Sequence, residues 1–232
     1  MLDQFVARIP ERGGALVLRG DPGIGKTALL AAASAAASSK GISVLRTAGA
    51  QSETRFAFAA LHQLLRPLVT RLDHLPGPQR DALSAAFGTI DVPAPDPFLI
   101  ALAALNLLAD AAERAPLLLV VDEAHWLDPP TAGAVAFIAR RVDAEPIAVL
   151  FAVRDGAGSV LDGAGLPELC LGGLDDEAAS DLVDASAADL TPGLRRRVLQ
   201  IAAGNPLALL ELPAALRLGD ARIDELSRAR CR

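Results

Sequence analysis

The sequence predicts an α/β fold: a parallel sheet with crossover helices, followed by a small helical appendage. Three observations carry that expectation. Short, uninterrupted apolar runs such as LLLVV (117–121) and IAVLFAV (147–153) have the pattern of strands buried on both faces. Helical patterns alternate with these runs along the first two-thirds of the chain, as crossover connections require. After Arg154 the strand signal fades and three helical segments follow one another. A length of 232 residues suits one sizeable α/β domain with an appendage and is ample for a buried core.

Taken in order, ALVLRG (15–20) reads as the first strand, and Thr27 to Ser38 as an alanine-rich helix. ISVLRTAG (42–49) is a second strand, followed by a helix over 56–72 and a loop containing Pro76 and Pro78. A short helix near 81–87 and a connector, GTIDVPAPDP (88–97), lead to a helix over 98–114. The strand 117–121 precedes a helix at 131–141, and the strand 147–153 follows. Asp128-Pro129-Pro130-Thr131 has the composition of a helix start, an aspartate or threonine cap with proline in the first turn. DGAGSVLDGAG is a Gly-rich loop, and LPELCLGGL holds a last short strand. Helices are expected at 175–185, 191–203 and 206–216. The expected division is therefore a core at 1–172, a helical lid at 173–218 and a mobile tail at 219–232.

Composition narrows the function. With 28 acidic and 22 basic residues the net charge is -6, which argues against direct nucleic-acid binding, because phosphate neutralisation needs a basic face. Hydrophobic residues make up 52% and the mean hydropathy is +0.35, outside the range of a disordered tail. No apolar run is long enough to span a bilayer and no secretory signal opens the sequence, so a cytoplasmic protein with no membrane partner is expected. Cys170 and Cys231 fit no disulfide framework or zinc spacing, and the three histidines are scattered. Only two of the 22 basic residues are lysines, Lys26 and Lys40. A lysine kept in so arginine-rich a chain draws attention.

Lys26 lies in Gly20-Asp21-Pro22-Gly23-Ile24-Gly25-Lys26-Thr27, which matches the phosphate-binding pattern G-x-x-x-x-G-K-[ST]. Glycines let the backbone curl so that successive N–H groups face one anion. The following helix adds its N-terminal donors and dipole. Lys26 can reach β- and γ-phosphates as a compact point charge, and the Thr27 hydroxyl can ligate Mg²⁺. The strand 117–121 then delivers Asp122 and Glu123 at its C-terminal end, the edge where open α/β sheets bind ligands. There Asp122 would hold Mg²⁺ through water and Glu123 would polarise an attacking water. DEAH (122–125) does not signal a helicase: the chain lacks tandem cores and a basic strand-tracking surface. His125 is read as local packing or support, and Trp126-Leu127 as packing against the sheet. Arg154 closes a strand at the same edge, where a guanidinium could sense a γ-phosphate. Arg195-Arg196-Arg197 fans around a helix as a solvated face.

With those residues in view, the chain resembles the ATPase domain of large LuxR-type transcriptional regulators, signal-transduction ATPases of the wider AAA-related class. The resemblance rests on GDPGIGKTALL (20–30), FAFAALHQLLRPL (56–68), LLLVVDEAHWLDPPT (117–131), AVLFAVRD (148–155) and GNPLALLELP (204–213), in the family's order. It implies a P-loop NTPase core of the AAA-related type with a C-terminal helical lid, and an ATP- and Mg²⁺-dependent switch. It places the Walker A role on Gly20, Asp21, Gly23, Ile24, Gly25, Lys26, Thr27 and Ala28, with Thr27 and Asp122 as metal ligands. It places the Walker B role on Asp122 and Glu123, a sensor role on Arg154 and a lid contact on Pro206. Lys26, Glu123 and Arg154 are thus the expected catalytic set. Implied partners are ATP or ADP, with self-association or downstream sensor and helix-turn-helix domains beyond them. The family's usual Gly-Arg-x-x-Glu segment is absent ahead of MLDQFVARIPERGG, and 16 residues after Leu216 are too few for a helix-turn-helix. The expectation is a fragment of a regulator, an incomplete gene product or a stand-alone relative. Three functions compete: a weak regulatory ATPase, a nucleotide-binding fragment without turnover, and a small-molecule P-loop kinase.

Overall fold

A computed structural model describes residues 1–90 and 96–217. Tail residues 219–232, and Asp91 to Pro95 within the expected connector, lie outside the described residues. The backbone contacts divide the chain into two compact units. The first comprises Met1–Arg19 and Thr27–Leu169; the second comprises Gly20–Lys26 and Cys170–Arg232. The loop Gly20–Lys26 thus belongs by its contacts with the C-terminal helices, although it follows the first strand in sequence. That grouping differs from a simple cut at 172/173 because packing, not chain order, defines it.

The first unit is built on a five-stranded parallel sheet. Its strands are β1 (Gly14–Gly20), β2 (Ser43–Ala48), β3 (Leu117–Asp122), β4 (Ile147–Arg154) and β5 (Glu168–Cys170), in the spatial order β2-β3-β4-β1-β5. β2 runs parallel to β3 with Ala48 beside Asp122, and β3 runs parallel to β4 with Val121 beside Phe151. β3 is buried from Leu117 to Val121 and β4 from Ile147 to Val153. Both faces of these strands must therefore be covered, as their unbroken apolar sequence requires. One face packs Val17, Leu45, Leu119, Val121, Val149 and Phe151 against helices α3 (Ala59–Leu65), α4 (Gly77–Ala86), α5 (Pro97–Ala112) and α6 (Pro129–Ala139). Helices α1 (Leu2–Ala7) and α2 (Lys26–Ser39) flank β1 in the chain. Arg19, held by Glu168 and Asp162 at 3.0 and 2.7 Å, ties β1 to β5 and to the loop before it.

Two expected helices are corrected. The span 56–72 is not one helix: Phe58 has left-handed backbone (φ 63°), α3 covers seven residues, and a 3₁₀ segment runs from Arg66 to His74. Pro67 removes a donor near the start of that segment, which suits the tighter winding. The helix expected at 81–87 starts four residues earlier, at Gly77 with Pro78 in its first turn, and ends at Ala86. α6 likewise begins at Pro129, with the Asp128 carboxylate accepting from the Thr131 N–H at 2.9 Å.

The second unit holds α7 (Asp176–Ser186), α8 (Pro192–Ala202) and α9 (Pro206–Arg217). Its described core is small: Ala179, Val183, Val198, Ala202, Leu209 and Leu212. Side-chain caps start α7 and α8, Asp175 accepting from Ala178 and Thr191 from Leu194. Among the described residues no helix is long and apolar enough to cross a membrane.

Candidate functional site

The loop between β1 and α2 takes the conformation its glycines allow. Gly23 and Gly25 have φ of +75° and +103°, which L side chains rarely adopt. At Gly25 a Cβ would meet nothing within 4 Å, so its requirement is backbone angle rather than space. Gly23 adds a packing demand, because a Cβ there would stand 2.7 Å from Leu207 and 2.9 Å from Asn205. Lys26 is buried, and its ammonium donates to the Gly20 and Asp21 carbonyls at 2.7 and 2.9 Å. Its charge is thereby held inside the curl of the loop. Asp21 and Pro22 are exposed, with Gly23, Ile24 and Gly25 half-buried. The loop passes directly into α2, whose first turn includes Lys26, Thr27 and Ala28. Backbone N–H groups of a first helical turn have no partner within the helix.

Residues of the second unit grip this loop. The Asn205 side chain does two things at once. Its Oδ1 accepts from the Ala208 N–H at 3.1 Å, capping α9, while its Nδ2 donates to the Pro22 carbonyl at 2.9 Å. The Leu207 N–H donates to the Gly23 carbonyl at 3.2 Å. Pro206, expected as the contact residue, stands between these two and starts the helix. Asn205 and Leu207 are not among the residues expected from the sequence. An asparagine immediately before a helix-starting proline is the available signal, since it is a strong capping pattern.

In the first unit, Thr27 and Asp122 meet across 95 residues of sequence: the Thr27 hydroxyl donates to Asp122 Oδ2 at 2.9 Å. Oδ1 of the same carboxylate accepts from the Glu123 N–H at 2.8 Å, which fixes its orientation. Glu123 has left-handed backbone, φ 46° and ψ 41°, an uncommon state for a residue of its size. Strain of this kind persists only where surroundings enforce it. Here the turn is braced from below: the Gly49 N–H donates to the Asp122 carbonyl at 2.9 Å. A Cβ at Gly49 would lie 2.4 Å from the Glu123 carbonyl oxygen and 2.7 Å from the Trp126 carbonyl carbon. Nothing in the sequence around Gly49 signals that role. The Glu123 carboxylate is 44% exposed, and its Oε2 lies 3.3 Å from Nε2 of His125, whose ring is buried. The His125 ring also contacts that of Trp126, tilted by 44° with centroids 5.1 Å apart, while Leu127 is buried in the core. Arg154 ends β4 in an exposed position, three residues beyond the partner of Val121. Among the described residues it forms no ion pair with Asp122 or Glu123.

As donor sets these groups suit a polyphosphate and a hard divalent cation. A loop curled by two positive-φ glycines around a buried ammonium leaves backbone N–H groups for an anion. A hydroxyl and a carboxylate 2.9 Å apart offer the oxygen ligands Mg²⁺ prefers, with water completing its shell. A cavity of about 270 Å³ borders that pair, lined also by Leu30, Arg46, Thr47 and Gln63.

Comparisons with known proteins place this architecture. A signal transduction ATPase with numerous domains from Pyrococcus horikoshii, with a tetratricopeptide repeat sensor, superposes with a TM-score of 0.51 at 20% identity. That match covers 89% of this chain and 28% of the other. AMPPCP-bound DnaA from Aquifex aeolicus gives 0.53 at 13% identity, covering 99% of this chain and 62% of that one. A DNA replication initiation factor gives 0.52 at 14%, covering 99% and 61%. At these identities the likeness is one of fold, and the chain spans less than two-thirds of each of these proteins. No curated protein matches the sequence. Residues 1–151, well over half of the chain, match the family model of the AAA ATPase domain, and the chain belongs to that family.

Proposed function

We propose that the chain is an ATP-binding, ATP-hydrolysing switch module of a LuxR-type transcriptional regulator. The observation that carries this reading is the Thr27–Asp122 hydrogen bond, which joins the end of the phosphate-binding pattern to the carboxylate closing β3. Its chemistry then follows from residue types. A bound Mg²⁺ would supply positive charge to offset the negative charge of the phosphates. Thr27 and Asp122 would supply the oxygen side of its shell. The Lys26 ammonium would exchange hydrogen bonds to the Gly20 and Asp21 carbonyls for β- and γ-phosphate oxygens, whose negative charge would neutralise its own. Glu123, partly exposed and stabilised by His125, would accept hydrogen bonds from the attacking water and orient it. Asp21, Gly23, Ile24, Gly25 and Ala28 would contribute backbone N–H groups. Arg154 would approach the γ-phosphate, and Pro206 would bring the start of α9 toward the nucleotide.

The LuxR-type assignment draws on ALHQLLRPL and GNPLALLEL, which are more specific to those regulators than the phosphate loop. The nucleotide-bound state of the DnaA neighbour is consistent with an adenine nucleotide as ligand. Binding of Mg·ATP by calorimetry and release of phosphate at steady state test the proposal together. Lys26→Ala should abolish binding, whereas Glu123→Gln should preserve binding and reduce turnover about a hundredfold or more, as expected for losing a general base. Hydrolysis unchanged in Glu123→Gln would sink the mechanism. Nucleotide consumption only in the presence of an acceptor would replace it with a kinase, and binding without turnover in the parent chain would reduce it to a binding module.

A further inference from the structure

β2 is the terminal strand of the sheet, and its outer edge carries a row of backbone groups at strand spacing. The Ser43 N–H donates to the Pro116 carbonyl and the Gly49 N–H to the Asp122 carbonyl, so odd-numbered residues face β3. By the two-residue alternation of a strand, the N–H and C=O groups of Val44, Arg46 and Ala48 face outward. Among the described residues, none of these three amides meets a partner across that edge. The edge opens onto a cavity of about 760 Å³, built from the end of α2, the 3₁₀ segment 66–74 and the turn after α5. Its lining includes Ser38, Pro67, Leu68, Arg71 and Arg114 beside Ser43 to Arg46, and it contains no carboxylate. In a chain of net charge -6, that is a local inversion of sign. Arg71 is already neutralised, its guanidinium donating to the Asp110 carboxylate at 2.7 Å. Arg46 and Arg114 make no ion pair among the described residues.

We propose that this edge binds an extended acidic peptide segment of a partner protein as an added strand. Outward backbone groups at a repeat of about 6.6 Å match a strand, not a globular surface or a small anion. Arginines 46 and 114 supply the sign selectivity, and Pro67 with Leu68 supplies apolar contact for intervening side chains. A second copy of this chain suits the edge poorly. Pairing β2 with β2 about a two-fold axis would bring Arg46 near its own equivalent, and like charges across strands are destabilising.

Amide hydrogen exchange on the full chain tests this directly, with a peptide of alternating glutamate and valine matched to the six residues of β2 as the probe. Without peptide, the amides of Val44, Arg46 and Ala48 should exchange quickly while those of Leu45 and Thr47 stay protected. With peptide, the first three should become protected. A lysine-valine peptide should give no protection, and Arg46→Glu should weaken binding of the glutamate peptide roughly tenfold or more. Equal binding of the two peptides, or no protection at millimolar glutamate peptide, overturns the proposal. So does protection of Val44, Arg46 and Ala48 in the chain alone. Independent of concentration, it would assign the edge to this chain's own residues; rising with concentration, to a second copy.

Discussion

The two units differ in what holds them together. In the first, a sheet buried on both faces organises the helices, and Phe151, Leu118 and Leu119 have almost no contact with solvent. In the second, the described core has six residues, and three helices depend on it together with side-chain caps at Asp175, Thr191 and Asn205. The candidate nucleotide loop is grouped with the unit of smaller described core, and a small core opens locally at lower free-energy cost than a large one.

Truncations in the two cores should break or sharpen that contrast. Phe151→Ala removes a fully buried ring from the sheet face packed against α3 to α6 and should cost about 3–5 kcal/mol. Thermal unfolding followed by circular dichroism should show a midpoint lower by roughly 10 °C for a chain of this size. Leu209→Ala, in the six-residue core, removes less volume and should leave the main transition nearly unmoved. Its signature should be faster amide exchange in α8 and α9 and a loss of Mg·ATP affinity, because Asn205 and Leu207 hold Pro22 and Gly23. Equal midpoint losses in both variants would show that the two units melt as one.

The same contrast explains what can be read from sequence. Unbroken apolar strands at 117–121 and 147–153 announce a sheet buried on both faces, and a stretch of that kind has few other stable fates. The curl of the loop 20–27 is legible because Gly23 and Gly25 each answer a backbone demand at a set spacing. Two features are not legible. Phe58 carries no sign of left-handed backbone, since the cause lies seventy residues away: its N–H donates to Asp128 Oδ1 at 2.8 Å. Gly49 reads as an ordinary strand-end glycine, and its role depends on a turn contributed by β3. Contacts between elements distant in sequence leave no local pattern, whereas loops and buried strands do.

Asp128 offers a smaller perturbation within the larger unit. Oδ1 of this buried carboxylate accepts from both the Thr131 and the Phe58 N–H, and the Thr131 hydroxyl accepts from the Leu61 N–H at 3.2 Å. One residue therefore caps its own helix and braces the start of α3. Asp128→Ala loses a cap and strands a second donor, for a cost of about 2 kcal/mol. Asp128→Asn keeps an acceptor and should recover part of it. Urea midpoints of the three proteins give the order; an alanine variant as stable as the asparagine one would mean water replaces the carboxylate at both amides.

The mildest test uses acid. Each unit has an arginine–aspartate pair, Arg71–Asp110 in the first and Arg195–Asp184 in the second. Partial burial alone would raise the pKa of Asp110, but hydrogen bonds from His74 and Arg71, with the Arg71 charge, outweigh it and hold the group below its ordinary value of 3.8. Arg195 lowers Asp184 in the same way, on a far more exposed surface. A carboxylate depressed in the folded state stabilises above its unfolded pKa, and that contribution disappears as pH falls through the folded value. The difference in urea midpoint between the parent and Asp110→Asn should thus persist from neutral pH down to about pH 5 and shrink below about pH 4. Asp184→Asn should show a smaller difference at neutral pH, one that fades in moderate salt because water and ions screen an exposed pair. A salt-insensitive Asp184 effect as large as that of Asp110 would mean that the second unit relies on its ion pair as heavily as the first relies on packing.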